Sequence, residues 1–111
     1  MTHRVIGTFQ ALQHRAADLF MELQLCRTVV MVAARQLDDN DMAAPQGASA
    51  AKARCSDFVV KMMNEALQMH GGIGITHEHD IGFFMKRARV CQLTFGDSAF
   101  HKDRWATLNG Y

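Results

Sequence analysis

The feature that most constrains this chain is one long run of helical periodicity. From Thr8 to Leu37, the residues Phe9, Leu12, Ala16, Leu19, Leu23, Cys26, Val30, Ala33 and Leu37 recur at steps of three and four, which puts them on one face of one helix. Such a helix spans roughly 45 Å, long for a chain of 111 residues. Phe20, Leu25, Val29 and Val32 widen the face beyond the stripe that one neighbour covers, so the helix needs several packing partners. His14, Arg15, Asp18, Glu22 and Arg27 make its more polar side. One proline, eight methionines and few β-branched residues agree with an all-helical chain and an adaptable core.

The remaining segments supply the partners. Asp38, Asp39, Asn40 and Asp41, followed by Pro45 and Gly47, read as a loop. A second helix is expected from Ala48 or Ser49 to His70, with Ala51, Cys55, Phe58, Met62, Ala66 and Met69 on its apolar face and Lys52, Asp57, Lys61 and Asn64 away from it. It can pack antiparallel to the first, and Ala50, Ala51 and Ala53 permit close approach at its start. Gly71, Gly72 and Gly74 then turn the chain, because glycine tolerates the backbone angles of a helix stop. Thr76 is the expected N-cap of a third helix, with Glu78 and Asp80 at its positive end and Ile81, Phe84, Met85, Ala88 and Cys91 on its apolar face. Phe95 and Gly96 end it, and Asp97 or Ser98 caps a short last helix through Trp105. The expected fold is all-α, a single domain over residues 1–111: an up-and-down bundle of three long helices and a short C-terminal one.

Charge and cysteine usage exclude several classes. Lysine and arginine total 12 against 11 acidic residues, so no strong field favours nucleic acid or an anionic membrane. Cys26, Cys55 and Cys91 have neither metal-ligand spacing nor a disulfide framework, which suits buried thiols in a reducing cytoplasm. The stretch MTHRVIGTFQ has no apolar signal region, and no apolar run reaches the roughly 18 residues of a membrane span. A soluble cytoplasmic protein is expected.

The residues by themselves support little chemistry. His77 and His79 flank Glu78, but the i, i+2 spacing turns them to different sides of a helix, unlike a helical zinc pair, so no metal is expected. No serine or cysteine sits beside an evident base, and the glycines follow a helix rather than the strand of a dinucleotide-binding turn. For Glu65 to Asp80 two readings stay open: a glycine-rich helix stop, or a backbone that also lies close against a ligand, with Gln68 and His70 one turn earlier.

Three ordered segments carry a resemblance. GTFQALQHRAADLFMELQLCRTVVMVAA, AAKARCSDFVVKMMNEALQMHGGIGITHEHDIGFFMKRARV and LTFGD together resemble the C-terminal helical domain of acyl-CoA dehydrogenases over nearly the whole chain. The resemblance implies an FAD enzyme that removes two hydrogens from the α and β carbons of an acyl-CoA and passes electrons to an electron-transfer flavoprotein-type acceptor. It implies that Phe9 and Gln10 reach the FAD of a partner subunit. It further implies that Gln68, Met69, His70, Gly71 and Gly72 contact the adenosine-diphosphate part of FAD across an interface of a homo- or hetero-oligomer. Glycines there permit close backbone approach, and free amides near a turn suit pyrophosphate oxygens.

Two departures follow from the same comparison. Where many members carry a catalytic glutamate before a glycine, this chain has Phe95 before Gly96, and Asp97 is two positions late, so no catalytic residue is assigned. The arginine and phenylalanine-glycine segment that usually precedes the first helix is missing, as are the N-terminal helical and middle β domains. The expectation is part of an acyl-CoA dehydrogenase that contributes FAD contacts at an oligomer interface and is inactive alone. The alternative is a non-catalytic helical oligomerisation module or an inactive gene fragment.

Overall fold

The computed structural model describes the backbone of residues 2–73 and 78–111 and the side chains of residues 10–69 and 82–111. Four helices follow one another: α1 (Thr2–Asp38), α2 (Ala44–Ile73), α3 (Glu78–Leu93) and α4 (Ser98–Leu108). The described residues contain no strand, and the fold is all-α as the periodicity implies. The longest dimension, 58 Å against 26 Å for the other two, is set by the 37 residues of α1.

The α1–α2 turn is built from the acidic run. Asn40 takes a left-handed φ of 53°, which asparagine tolerates, and the Asp41 amide donates back to the Gln36 carbonyl at 2.9 Å to close the end of α1. Asp41 then starts the next helix, its carboxylate accepting from the Ala43 amide at 2.8 Å. Pro45 and Gly47, read from sequence as loop, lie instead in the first turn of α2. Proline is at home there, because a first-turn amide has no intrahelical acceptor to lose.

α2 is the hub: α1, α3 and α4 all pack on it. Its pairing with α1 is antiparallel, since Gly47 lies against Gln36, Lys61 pairs with Glu22, and Arg15 reaches both Glu65 and Gln68. α4 also runs antiparallel to α2, with Gln46 bonded to the Leu108 carbonyl and Lys102 paired with Asp57. Helices this close need small residues between them. The core accordingly comprises Ala44, Ala51, Ala53 and Ala88 with Cys26, Ala33 and Phe58, and includes buried Ser49, Ser56 and Ser98.

The wide apolar face expected on α1 is only partly covered. Cys26 and Ala33 are buried and Leu12, Leu19 and Val29 half-buried, whereas Leu23, Val30 and Leu37 from the expected stripe are exposed. The buried stripe is narrower because α2 is the main neighbour of α1, and a single partner shields a single strip. Phe20 and Met31 remain 61% and 70% exposed. Lys52 departs from expectation in the other direction: placed off the apolar face by periodicity, it is half-buried between α2 and α3.

Other boundary expectations change as well, α1 beginning at Thr2 rather than about Thr8. α2 runs on to Ile73, so Gly71 and Gly72 lie in its last turn and not beyond it. α4 continues past Trp105 to Leu108, and Asp97 is its N-cap, accepting from the Phe100 amide at 2.9 Å. The Thr76 cap and the His77–Glu78–His79 side chains fall outside the described residues. Among the described residues no helix is long and apolar enough to cross a membrane, and no group of three or more His, Cys, Asp or Glu is placed to hold a metal ion.

Candidate functional site

The antiparallel α1–α2 pairing carries residues 9 and 10 toward the end of the bundle where residues 68–72 lie. Gln10 and Gln68 are exposed, and Met69 is half-buried. Arg15 fixes the orientation of Gln68, its guanidinium donating to the carboxamide oxygen at 3.3 Å and standing 3.7 Å from Glu65. The side chains of Phe9 and His70 lie outside the described residues, as do the surroundings of Gly71 and Gly72. Since both glycines are helical, their amides belong to the α2 ladder, and the free amides expected of a turn are not available at these positions.

Phe95 is not part of this group. α3 returns along α2, and the turn that follows it lies beside Ser49, about 20 residues before Gly71 and thus roughly 30 Å along α2. Phe95 has φ 59° and Gly96 φ 96°, so two successive left-handed residues reverse the chain between α3 and α4. A Cβ at Gly96 would meet the Phe100 ring at 2.6 Å, which requires glycine on steric grounds as well.

Buried polar groups on α2 hold this turn. The His101 ring stands 2.8 Å from the Phe95 carbonyl through Nε2 and 3.1 Å from Ser49 Oγ through Nδ1. The carbonyl can only accept, so Nε2 carries the proton, and Nδ1 accepts from the Ser49 hydroxyl. Arg104 donates to Ser49 Oγ at 2.7 Å and to the Pro45 carbonyl at 3.2 Å. Ser49 has no exposed surface, and removing its hydroxyl strips both His101 and Arg104 of a partner. Ser49→Ala is expected to cost about 1–3 kcal/mol, measured by urea unfolding; a change within experimental scatter would mean water replaces the hydroxyl. On the other side of the turn, the Lys52 ammonium donates at 3.0 Å to each of the Cys91 and Gln92 carbonyls and at 2.8 Å to Ser56 Oγ, capping the negative end of α3.

A cavity of about 750 Å³ opens between α1, α2 and α4, with Cys26, Val29, Ala53 and Phe58 among its apolar lining. Ion pairs of Glu22 with Lys61 and of Asp57 with Lys102 flank it. The Glu22 carboxylate holds the Lys61 ammonium above the usual lysine value. Partial burial works to raise the Asp57 carboxyl, but Lys102, 2.9 Å away, outweighs it and holds that group below the ordinary aspartate value. Burial, and then the neighbouring Cys55, push the Cys26 thiol up to about 11. A thiol protonated at neutral pH is a poor nucleophile. With a maleimide at pH 8, exposed Cys91 is therefore expected to label first and buried Cys26 last, with Cys55 between them; peptide mass mapping of partly labelled protein tests the order.

At the α3–α4 turn, neither Phe95 nor Asp97 is poised as a general base. Phe95 has no proton acceptor in its side chain, and the Asp97 carboxylate is committed to the Phe100 amide. Ser49, His101, Arg104 and Lys52 were not singled out as site residues by the sequence, because their roles depend on where α3 and α4 dock. The one available signal was a serine and a lysine on the α2 face nearest the Leu93–Asp97 segment.

A family model described as "Acyl-CoA dehydrogenase, C-terminal domain" matches residues 2–107. Among curated proteins, the chain is 45% identical over 87 residues to the acyl-CoA dehydrogenase IpdE2 of Mycolicibacterium smegmatis, covering 77% of this chain and 25% of that protein. It is 40% identical over 85 residues to IpdE2 of Mycobacterium tuberculosis, again 77% of this chain and 25% of the relative. It is 32% identical over 97 residues to the probable acyl-CoA dehydrogenase YngJ of Bacillus subtilis, covering 87% of this chain and 25% of that protein. The chain thus spans about a quarter of the length of these relatives. No solved structure gives a significant match.

Proposed function

The chain belongs to the acyl-CoA dehydrogenase C-terminal domain family, and from that premise we propose that it forms the flavin-contacting helical part of an FAD-dependent acyl-CoA dehydrogenase. The single observation that carries this reading further is the separation within the bundle. The positions that the family resemblance assigns to FAD, Phe9, Gln10 and Gln68 to Gly72, fall toward one end of the α1–α2 pair, and the Phe95 turn stands roughly 30 Å from them along α2. One chain cannot bring both to a common ligand, so an assembly in which separate subunits supply the two ends fits the geometry best.

The residues present are compatible with a flavin nucleotide. Gln10 and Gln68 expose carboxamides at that end, and because Arg15 engages the Gln68 oxygen, its amino group is the part left to donate to a phosphate or ribose oxygen. Gly71 and Gly72 would give close approach of the α2 backbone without donating. When bound, FAD would supply the hydride acceptor of an α,β-dehydrogenation. The chain's own residues would bind and orient it, and the base that removes the α proton would lie outside residues 1–111, since a base must reach the proton it takes. The acyl-CoA substrate, an electron-transfer flavoprotein-type acceptor and a homo- or hetero-oligomeric state belong to the same proposal.

The test is co-expression with a dehydrogenase-type subunit followed by size-exclusion chromatography with absorbance read at flavin wavelengths. Flavin bands are expected to co-elute with the complex, and Gly72→Val is expected to lower flavin per complex while leaving assembly intact. Normal occupancy in that variant would remove the α2 contact from the model of the site. A complex that stays colourless with added FAD would favour the alternative of a non-catalytic oligomerisation module, to which the exposed apolar residues of α1 are equally suited.

A further inference from the structure

The three cysteines are far apart in sequence, but the antiparallel pairing of α1 and α2 brings two of them to one level. Contacts on either side set the register: Gln36 lies against Gly47, Glu22 pairs with Lys61, and Arg15 reaches Glu65 and Gln68. Between the first two of these contacts, Cys26 on α1 comes opposite Cys55 on α2. Both cysteines belong to the faces that meet. Cys26 is one turn after Glu22 and two turns before buried Ala33, and Cys55 is one turn after buried Ala51 and one turn before buried Phe58.

The pair is close and its two members differ in access. Cys26 is 5% exposed, Cys55 is half-buried, and the two thiols stand within hydrogen-bonding reach of each other. A disulfide requires Cα atoms within roughly 7 Å. Helices approach that closely across small residues, and Ala33 and Ala51 are such residues on either side of the pair. Cys91 is exposed on α3, outside this seam.

We infer that Cys26 and Cys55 form a dithiol site that a small peroxide oxidises to an intrachain disulfide, clamping α1 to the hub helix. Cys55, the more accessible thiol, reacts first: its thiolate attacks one peroxide oxygen, the O–O bond breaks, an S–O bond forms, and the leaving oxygen departs as water with the thiol's proton. The Cys26 sulfur then attacks Cys55 Sγ, an S–S bond replaces the S–O bond, and the second oxygen leaves as water with the Cys26 proton. Two thiols thus give two electrons to one peroxide. The raised Cys26 thiol suits the second role, because the share of that rise due to the Cys55 thiolate disappears once Cys55 is a neutral sulfenic acid. A dithiol reductant returns the two electrons and reopens the bridge. The inference uses only contacts within the bundle, so it stands or falls independently of the flavin reading.

The experiment treats the reduced 111-residue chain with hydrogen peroxide, blocks the remaining thiols with a maleimide and maps peptides without reduction. A Cys26–Cys55 linked peptide is expected, with Cys91 alone carrying the label. The bridge closes a loop of about 30 residues and is expected to raise the melting temperature by about 10 °C, a gain that dithiothreitol abolishes. Cys91→Ser is expected to form the link at the wild-type rate, whereas Cys55→Ala leaves Cys26 unoxidised over the same exposure. In denaturing urea the selectivity is expected to vanish and links to Cys91 to appear. Cys55 driven to sulfinic acid with Cys26 still free overturns the inference, since the sulfurs then do not reach each other. Links made only between chains, or the same selectivity in urea as in buffer, overturn it as well.

Discussion

Phe58→Ala is expected to destabilise the chain by about 3 kcal/mol, the lower end of the range for removing a buried aromatic ring. Phe58 is 8% exposed, and the other buried apolar residues among those described are alanines and Cys26, so it is the one large side chain in this core. It sits in α2 against the cavity wall that includes Cys26 and Val29, where α1 and α4 approach the hub. The neighbouring cavity lets some of the surroundings settle, which is why the lower end of the range applies. A small domain has roughly 5–15 kcal/mol in all, so a large share of its stability rests on this ring. Urea unfolding followed by circular dichroism should show the midpoint fall with little change in slope, and Phe58→Leu should recover most of the loss. A loss under about 1 kcal/mol would mean that burial of Phe58 is not what joins the helices.

Lys52→Met is expected to cost about 2 kcal/mol and to do so locally. The substitution keeps a long apolar stem but removes the ammonium that donates to Ser56 and to the Cys91 and Gln92 carbonyls. The last turn of α3 then has two carbonyls deprived of a charged donor at the negative end of the helix. α3 buries little else, with Ala88 its one fully buried residue among those described, so the loss falls on its docking. Native-state amide exchange should show protection falling in residues 85–93 while the α1–α2 pairing keeps its own. Equal loss along all helices would show Lys52 acting on global stability instead.

Much of the architecture was legible in the residues. The three- and four-step apolar pattern gave α1 and α2, Asp97 or Ser98 marked the start of α4, of which the structure makes Asp97 the cap, and the acidic run with Asn40 gave the first reversal. Boundaries were less accurate for identifiable reasons. Pro45 and Gly47 signal a break, yet a proline at the start of a helix and a break look alike in sequence. Gly71 and Gly72 likewise read as a stop, whereas the α2 hydrogen-bond ladder extends through them to Ile73.

The candidate site divides along the same line. The family to which the chain belongs was recognisable from its ordered segments, and the roles of Gln10 and Gln68 to Gly72 are proposals that follow from that membership. What periodicity could not supply was the coupling of Phe95 to Ser49, His101 and Arg104, or of Lys52 to the end of α3. Apart from the six-residue step from Phe95 to His101, these contacts join residues 39 to 55 positions apart, and they exist because three helices converge on α2. The sequence by itself determined that the chain is helical and which segments are helices, because backbone preference and side-chain period are local properties; the family followed separately, from the resemblance of its ordered segments. The tertiary structure alone decided which strip of α1 is covered, which polar groups are buried, and that an exposed phenylalanine is held in a left-handed turn, because docking selects among faces that the local pattern leaves equivalent.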